Sequence, residues 1–253
     1  MRNPARAFFA FASTAVGVIY LLTGGMAAHA ADAPADLLAA VDEAGEIAKA
    51  GLSVHVRGQV GREAFAALVR TRGDDQRINV QAPLSRQGEV LLFARGRLWY
   101  HRPGLKRPAT VSLSQSLGGA TVGELLLALK GLRKDYKAVS QAADAVEGQA
   151  ATRLELSATS SSAPWPRLRV WIAGKPRRVV RAAVLDGKGQ PVRTINISWE
   201  NTITSNGASR PFPSKVSVEE RGGGDRAAVL YYDAPVPGEQ PAGLFSPAEL
   251  GKP

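Results

Sequence analysis

The chain has 253 residues, no cysteine, and 32 Lys and Arg residues against 22 Asp and Glu residues, which gives a formal charge of +10. The absence of cysteine excludes a disulfide framework and a lipid-modified N-terminal cysteine. A basic surface is compatible with anionic lipid head groups, nucleic acid, an acidic protein partner or a plain solvated surface.

Residues 1–30 have the pattern of a secretory signal peptide. Arg2 and Arg6 form a positive start, an apolar stretch follows, and an A-x-A cleavage pattern ends at Ala30. We predict cleavage after Ala30 and a periplasmic mature protein, 31–253, that forms a single domain. An uncleaved membrane anchor is the alternative, although the apolar stretch is short for a spanning helix. Export argues against a nucleic-acid partner.

Two amphipathic helices are predicted, at 36–50 and 121–132. Asp36 can cap the first helix, and Thr121 can cap the second, with Glu124 in the capping-box position. The two apolar faces are formed by Leu37, Val41, Ala44 and Ala48, and by Val122, Leu125, Leu126, Leu129 and Leu132. Each face needs an apolar surface to cover, and the surrounding strands supply one.

The hydrophobic period is two through most of the remaining chain, which is typical of half-buried β-strands. Val54 and Val56, for example, alternate with polar residues, as do Ile195 and Ile197. The spacing of strands and turns indicates a meandering antiparallel sheet of about eleven strands, curled toward a barrel. The predicted fold class is therefore mainly β: a curved, incomplete antiparallel β-barrel whose concave face is covered by the two helices.

The segment 88–108 contains two short apolar runs, 90–94 and 98–100, joined by a turn that contains glycine. This pattern predicts a β-hairpin. Both faces of the hairpin are apolar, so both must be covered, by other parts of the protein or by an apolar ligand. The pattern leaves open which face is directed inward.

Catalytic and metal-binding patterns are absent from the mature sequence. It has two histidines, His55 and His101, and contains no H-E-x-x-H, G-x-S-x-G or P-loop motif. The carboxylates are scattered, and the adjacent pair Asp74-Asp75 lies in a turn beside Gly73, where we interpret it as solvated. We therefore predict that the protein is not an enzyme and has no cofactor or metal site.

Three stretches carry a resemblance to a known family. Residues 98–103 read LWYHRP, residues 164–185 begin PWPRLRVW, and residues 244–250 read LFSPAEL. In this order they resemble the outer-membrane lipoprotein-sorting proteins, the family of LolA-like periplasmic carriers. The turn 173–175, AGK, departs from the acidic–basic pair that is usual in the family. No residue is matched to the family's ligand-gating arginine.

The resemblance implies an incomplete barrel with a helical lid, whose apolar cavity receives acyl chains. We predict a monomeric periplasmic carrier that shields acyl chains of lipoproteins or lipids during transport toward the outer membrane, with an inner-membrane transport complex as partner. The candidate cavity residues come from the sheet and the second helix and are Val90, Leu92, Leu98, Tyr100, Val170 and Ile172, and Leu125, Leu126 and Leu129.

Composition alone supports a dry core as well as it supports a cavity. The alternative function is a non-catalytic interaction module that docks on an envelope transport complex without binding lipid. Its contact surface would be an Arg-rich outer face formed by Arg57, Arg153, Arg167, Arg169 and Arg178.

Overall fold

The computed structural model of the protein describes residues 32–44, 51–112, 116–117, 120–129, 131–205, 207–222 and 227–250. Residues Asp32–Pro253 form one compact unit. The predicted signal peptide lies outside the described residues, so its cleavage stays a prediction. Neither of the two described α-helices has both the length and the apolar character of a membrane-spanning helix.

The described residues are mostly β-strands. In chain order the strands are β1 Leu52–Val60, β2 Glu63–Arg72, β3 Asp75–Ala82, β4 Val90–Ala94, β5 Arg97–His101, β6 Ala109–Val111, β7 Ser116–Leu117, β8 Ala120–Thr121, β9 Tyr136–Val146, β10 Gln149–Ala158, β11 Arg167–Ala173, β12 Arg178–Leu185, β13 Pro191–Ser198, β14 Asn201–Ser205, β15 Ala208–Phe212, β16 Lys215–Glu220, β17 Ala228–Tyr232 and β18 Val236–Pro237. The α-helices are α1 Pro34–Ala44 and α2 Val122–Leu127, and 3-10 turns occur at Leu84–Arg86, Ala242–Phe245 and Pro247–Glu249.

One antiparallel sheet of 14 strands dominates the fold, in the order β6-β5-β4-β3-β2-β1-β17-β16-β13-β12-β11-β10-β9, with β18 beside β1. The sheet is not closed, because β6 and β9 are its two edges. The prediction of a mainly β protein with an open antiparallel sheet is confirmed. The predicted count of eleven strands was too low, because strands such as β6 and β18 are too short to show a period of two.

The larger apolar cluster lies on one face of this sheet, which we call the core face. Its residues alternate with exposed or half-buried residues along most of the long strands, such as β1, β2 and β3, whereas all five residues of β4 are buried. The fully buried members include Val56, Ile78, Leu154, Val170, Ile195 and Leu230. Alternation of this kind places one side of a strand in the protein interior and the other toward solvent. The core face therefore follows directly from the sequence pattern.

The second helix is shorter than predicted, whereas the predicted end of the first helix stays a prediction. The described part of the first helix ends at Ala44, because the predicted residues 45–50 lie outside the described residues. The second ends at Leu127 instead of reaching residue 132. The Asp42 carboxylate accepts hydrogen bonds from the backbone N–H groups of Leu132, at 2.7 Å, and Arg133, at 3.2 Å. The carboxylate of Asp42 on α1 thus accepts hydrogen bonds from backbone N–H groups near the predicted end of α2. In a longer α2, the N–H of Leu132 would donate to a carbonyl oxygen of the helix itself.

The outer face of the β4–β5 hairpin is covered by the C-terminal segment. Val90, Leu92 and Ala94 form a separate apolar cluster with Phe245 and Leu250. The Arg77 guanidinium donates a hydrogen bond to the Leu244 carbonyl oxygen at 2.8 Å, which attaches the C-terminal segment to β3. Both faces of the hairpin are therefore covered by protein, one by the core and the other by this segment.

Replacing Phe245 with alanine is expected to lower the free energy of unfolding by about 3 kcal/mol, near the lower end for a buried Phe because the covering segment can shift. Phe245 is 5% exposed in the cluster on the outer face of the hairpin. Urea unfolding followed by circular dichroism measures the change. Leu84→Ala is the control, because Leu84 also lies in a 3-10 turn but is 84% exposed. Equal midpoints for the two variants would contradict the packing role of Phe245.

Candidate functional site

The core face is covered by short elements and not by a second large sheet. Leu37 and Leu38 of α1 are buried in the core-face cluster. Leu129, Leu132 and Tyr136, which follow α2, are buried there too. The hairpin β14–β15 adds two further buried side chains, Ile203 and Phe212. An apolar surface that extends over many strands is thus protected from water by small elements whose contacts with the sheet are few.

The structure separates the predicted cavity residues into two groups. The core-face cluster includes Leu98, Leu129, Val170 and Ile172, with Tyr100 packed at its edge. Val90 and Leu92 lie on the opposite face of β4, beneath the C-terminal segment. The side chains of Leu125 and Leu126 lie outside the described residues, so their orientation toward the core stays a prediction. The inward face of the hairpin is therefore formed by the side chains of Leu91, Phe93 and Leu98, which pack in the core-face cluster.

A buried ion pair fixes α2 to the sheet. Arg193 of β13 donates from Nη1 to Glu124 Oε1 at 2.7 Å, and the Glu124 side chain is 0% exposed while that of Arg193 is 11% exposed. The second guanidinium nitrogen of Arg193 lies 3.5 Å from Glu220 Oε1. The capping-box role of Glu124 stays a prediction, and its carboxylate also binds β13, a strand that is distant in sequence.

The loop before β11 packs closely against α2. A Cβ atom on Gly123 would lie 2.8 Å from the Pro164 side chain and 3.1 Å from the Trp165 ring, so only glycine allows this approach. Tyr136 Oη donates a hydrogen bond to the Trp165 carbonyl oxygen at 3.1 Å. Burial raises the pKa of Tyr136, so its hydroxyl keeps the proton that it donates. These contacts hold α2, the loop and β9 together over the core face.

A second feature is a cleft of about 640 Å³ where the β2–β3 turn, the β4–β5 turn and residues 131–135 meet. We call it the polar cleft. Its charged lining residues are Asp42, Arg72, Asp74, Asp75, Arg95, Lys134 and Asp135. Phe93 also lines it and belongs to the core-face cluster, so the cleft adjoins the apolar core.

The charged side chains that line the polar cleft differ in their partners. Lys134 binds Asp74 at 2.9 Å, and Asp135 Oδ1 accepts hydrogen bonds from the hydroxyl groups of Ser160 and Ser162. The guanidinium groups of Arg72 and Arg95 form no ion pair with any described residue. Asp74 is exposed in its turn, as predicted, with its side chain 56% accessible to solvent. Together with Asp75 it also lines a cleft that the sequence analysis missed.

The predicted Arg-rich outer face is largely neutralised within the chain. Arg153 pairs with Asp144 at 3.1 Å, Arg169 with Glu155 at 2.6 Å, and Arg57 with Asp233 at 2.9 Å. Arg178 differs, because its Nε is buried without a hydrogen-bond partner and burial lowers its pKa. Within the described part of the chain, no group of three or more His, Asp or Glu side chains is arranged to hold a metal ion.

Comparison with solved structures finds the same fold in bacterial proteins. A LolA superfamily protein from Nitrosomonas europaea is 20% identical, with a TM-score of 0.66 over 82% of this chain and 96% of that one. A putative outer membrane lipoprotein-sorting protein domain from Vibrio parahaemolyticus is 14% identical, with a TM-score of 0.62 over 85% and 100% of the two chains. A DUF1329 family protein from Desulfovibrio piger is 16% identical, with a TM-score of 0.61 over 86% and 99%.

Comparison at the level of sequence is less informative about activity. The model of a family described as "Uncharacterized protein" matches residues 73–252, which is more than half of the chain. No curated protein matches the chain in sequence. The resemblance predicted from the motifs is therefore confirmed at the level of fold, in which this chain is LolA-like.

Proposed function

Because the chain belongs to the family whose model matches residues 73–252 and has a LolA-like fold, we propose that it is a non-enzymatic periplasmic carrier of acyl chains. In this proposal, cleavage after Ala30 releases the mature protein, which acts as a monomer. It shields the acyl chains of lipids or lipoproteins during transport toward the outer membrane. The similar structures, a LolA superfamily protein and a putative outer membrane lipoprotein-sorting protein domain, support this choice.

The observation that carries the proposal is the core face itself. It is apolar over most of the sheet and is covered by α1, α2 with the residues after it, and a two-stranded hairpin. When such a cover moves, an acyl chain can replace the side chains that packed on the sheet. The exchange conserves apolar contact, so little hydrophobic free energy is lost.

Burial of an acyl chain in the carrier can offset the cost of removing that chain from a membrane. Each buried methylene contributes roughly 0.8 kcal/mol, so a chain of about fourteen carbons gains on the order of 10 kcal/mol before ordering costs. The sequence has no nucleotide-binding motif that could supply energy for loading. We therefore assign loading to an inner-membrane transport complex, while this chain supplies the apolar surface.

The residues that we propose for acyl-chain contact are those that the structure brings together on the core face: Leu98, Tyr100, Leu129, Val170 and Ile172. Leu125 and Leu126 of α2 are retained as proposed contacts. Val90 and Leu92 are not included, because the C-terminal segment already covers them. Acyl-chain entry on this face requires α2 and residues 127–132 to move away from the sheet.

The test is to purify the mature protein from cells, analyse its organic extract by mass spectrometry, and titrate it with a fluorescent fatty acid. We expect bound lipid in the extract and saturable uptake of the fatty acid. Leu129→Asn should weaken uptake by about tenfold, because it places an amide on an apolar binding surface. The matched control is Val139→Asn, since Val139 is an exposed apolar residue on β9, and its uptake should equal that of the unmodified protein.

Circular dichroism of both variants verifies that the sheet is folded. A folded protein that carries no lipid and takes up no fatty acid would refute the carrier function. The alternative, an interaction module that docks on an envelope transport complex without lipid, would then take its place. Co-purification of the module with a membrane transporter would support that alternative.

A further inference from the structure

One polar side chain is buried on the core face without a hydrogen-bond partner for its oxygen. Gln76 of β3 is 3% exposed, and its Oε1 atom accepts no hydrogen bond from any described residue. Strand alternation places Gln76 on the same side of β3 as Ile78 and Val80, two members of the core-face cluster. A buried amide oxygen without a donor destabilises a folded protein, so its position among apolar residues requires an explanation.

Gln76 belongs to a row of core-face residues that crosses one end of the sheet. Its cross-strand neighbours are Thr71 of β2 and Phe93 of β4, and Phe93 lies opposite Leu98 of β5. Thr71 is 0% exposed, so two adjacent polar side chains are buried in this row. The next core-face row along the same strands is apolar and consists of Val69, Ile78 and Leu91. The core face therefore changes from polar to apolar within one step along the strands.

The row that contains Gln76 borders the polar cleft. Phe93 lines the cleft and also belongs to the core-face cluster. Gly131, from the segment after α2, lines the cleft as well. The segment that moves in the proposed carrier thus borders this end of the core face. An acyl chain that lies on the apolar row, near the proposed contact Leu98, would have its polar end at Gln76.

The Gln76 oxygen restricts the chemistry of the group that it can bind. An amide oxygen accepts a hydrogen bond from an N–H or O–H donor. The other side chains of the row, Thr71, Phe93 and Leu98, carry no charge. A charged donor such as an ammonium would therefore lose its hydration without gaining an opposite charge. A neutral donor only exchanges a hydrogen bond with water for one with Gln76.

We propose that Gln76 is a specificity-determining residue, whose side-chain oxygen accepts a hydrogen bond from a neutral N–H or O–H group at the polar end of an acyl cargo. This inference rests on the proposed carrier function and adds the chemistry of the cargo to it. An acyl amide and an acyl glycerol with a free hydroxyl both belong to this class. An ester without a donor leaves the Gln76 oxygen without a partner and binds less tightly.

The test compares tetradecanamide with methyl tetradecanoate, which share an acyl chain and a carbonyl group but differ in the N–H donor. Tetradecanol and its methyl ether form a second pair, which tests an O–H donor. Each probe displaces a fluorescent fatty acid from the mature protein, and the ratio of the two affinities is measured for each pair. In Gln76→Met, which lacks the acceptor, we expect this ratio to fall about five- to tenfold in at least one pair, the size of one neutral hydrogen bond.

Comparing ratios between proteins cancels the difference in solubility between the probes. Gln81→Met is the matched control, because Gln81 lies on the same strand and is exposed, and its ratios should equal those of the unmodified protein. Gln76→Leu also lacks the acceptor and should reproduce the ratios of Gln76→Met. Urea unfolding gives a second readout. The midpoint of Gln76→Met should not fall, because the Gln76 oxygen accepts no hydrogen bond that the substitution would remove.

Two kinds of result would overturn the inference, and they are distinguishable. Unchanged ratios in both Gln76 variants refute the specificity role and leave the carrier function intact. If the midpoint of Gln76→Met also falls, the amide serves the fold through an ordered water. Failure of the folded, unmodified protein to bind the four probes and the fluorescent fatty acid refutes the carrier function together with the role of Gln76.

Discussion

Replacing Gly58 with alanine is expected to destabilise the protein by more than about 4 kcal/mol, an effect as large as any single substitution usually produces. Gly58 lies in β1 opposite Leu230 of β17. A Cβ atom at this position would lie 1.9 Å from the carbonyl oxygen of Val229 and 2.9 Å from its carbonyl carbon. Both are backbone atoms, so no rotation of a side chain relieves the overlap. The strands must separate.

Gly58 lies at a position where an overlap would destabilise the whole sheet and not only one strand. The β1–β17 pairing joins the strands β1 to β6 to the strands that follow α2, and β1 otherwise pairs with β2 and the two-residue β18. The core face is continuous only while these two groups of strands stay paired. A local separation at Gly58 would therefore expose Val56 and Leu230, two residues from the centre of the cluster.

Thermal unfolding of the purified variant, followed by circular dichroism, measures the change. Gly187→Ala is the control, because a Cβ atom there would have no neighbour within 4 Å, and its free energy of unfolding should change by less than about 0.5 kcal/mol. If Gly58→Ala melts at the same temperature as the control, the close approach of β1 and β17 is incorrect.

The alternating pattern was sufficient to predict the core face but not the number of strands. Val54 and Val56 in β1, and Ile195 and Ile197 in β13, are buried on one side as the period of two requires. Strands of two or three residues, such as β6 and β18, contain too few alternations to be recognised. Their positions depend on pairing with β5 and β1, which is a tertiary property.

The inward face of the β4–β5 hairpin could not be predicted, because both of its faces are apolar. The contact that decides it is made by Phe245 and Leu250, which lie at the other end of the chain. The family resemblance included the motif 244–250, but a motif does not state which surface it covers. This explains why Val90 and Leu92 were assigned to the cavity and are found on the opposite face.

The polar cleft could not be predicted for a related reason. Its residues come mainly from α1, two turns, the segment after α2 and the loop before β11, and no local pattern connects them. The ion pair of Glu124 with Arg193 could not be predicted from the sequence either, because its partners are 69 positions apart. Sequence periodicity predicts which side of an element is buried. It does not predict which charged residues meet when the elements pack.

Replacing Arg193 with methionine is expected to lower the free energy of unfolding by about 3–5 kcal/mol, the usual cost of breaking a buried ion pair. The variant leaves the Glu124 carboxylate, which is 0% exposed, without the guanidinium that binds it at 2.7 Å. Most of the cost comes from the desolvated charge and not from lost packing, because methionine keeps the apolar stem. Urea unfolding monitored by tryptophan fluorescence and circular dichroism measures it.

The double variant Arg193→Met/Glu124→Leu separates these two causes. With both charges removed, the site becomes apolar, and stability should recover to within about 1 kcal/mol of the unmodified protein. Arg57→Met is the control for an exposed pair, because Arg57 and Asp233 are 71% and 41% exposed, and its effect should stay below about 1 kcal/mol. If Arg193→Met is no more harmful than Arg57→Met, the pair does not fix α2 to the sheet. If the double variant is as unstable as Arg193→Met alone, the loss comes from packing around β13 and not from the buried charge of Glu124.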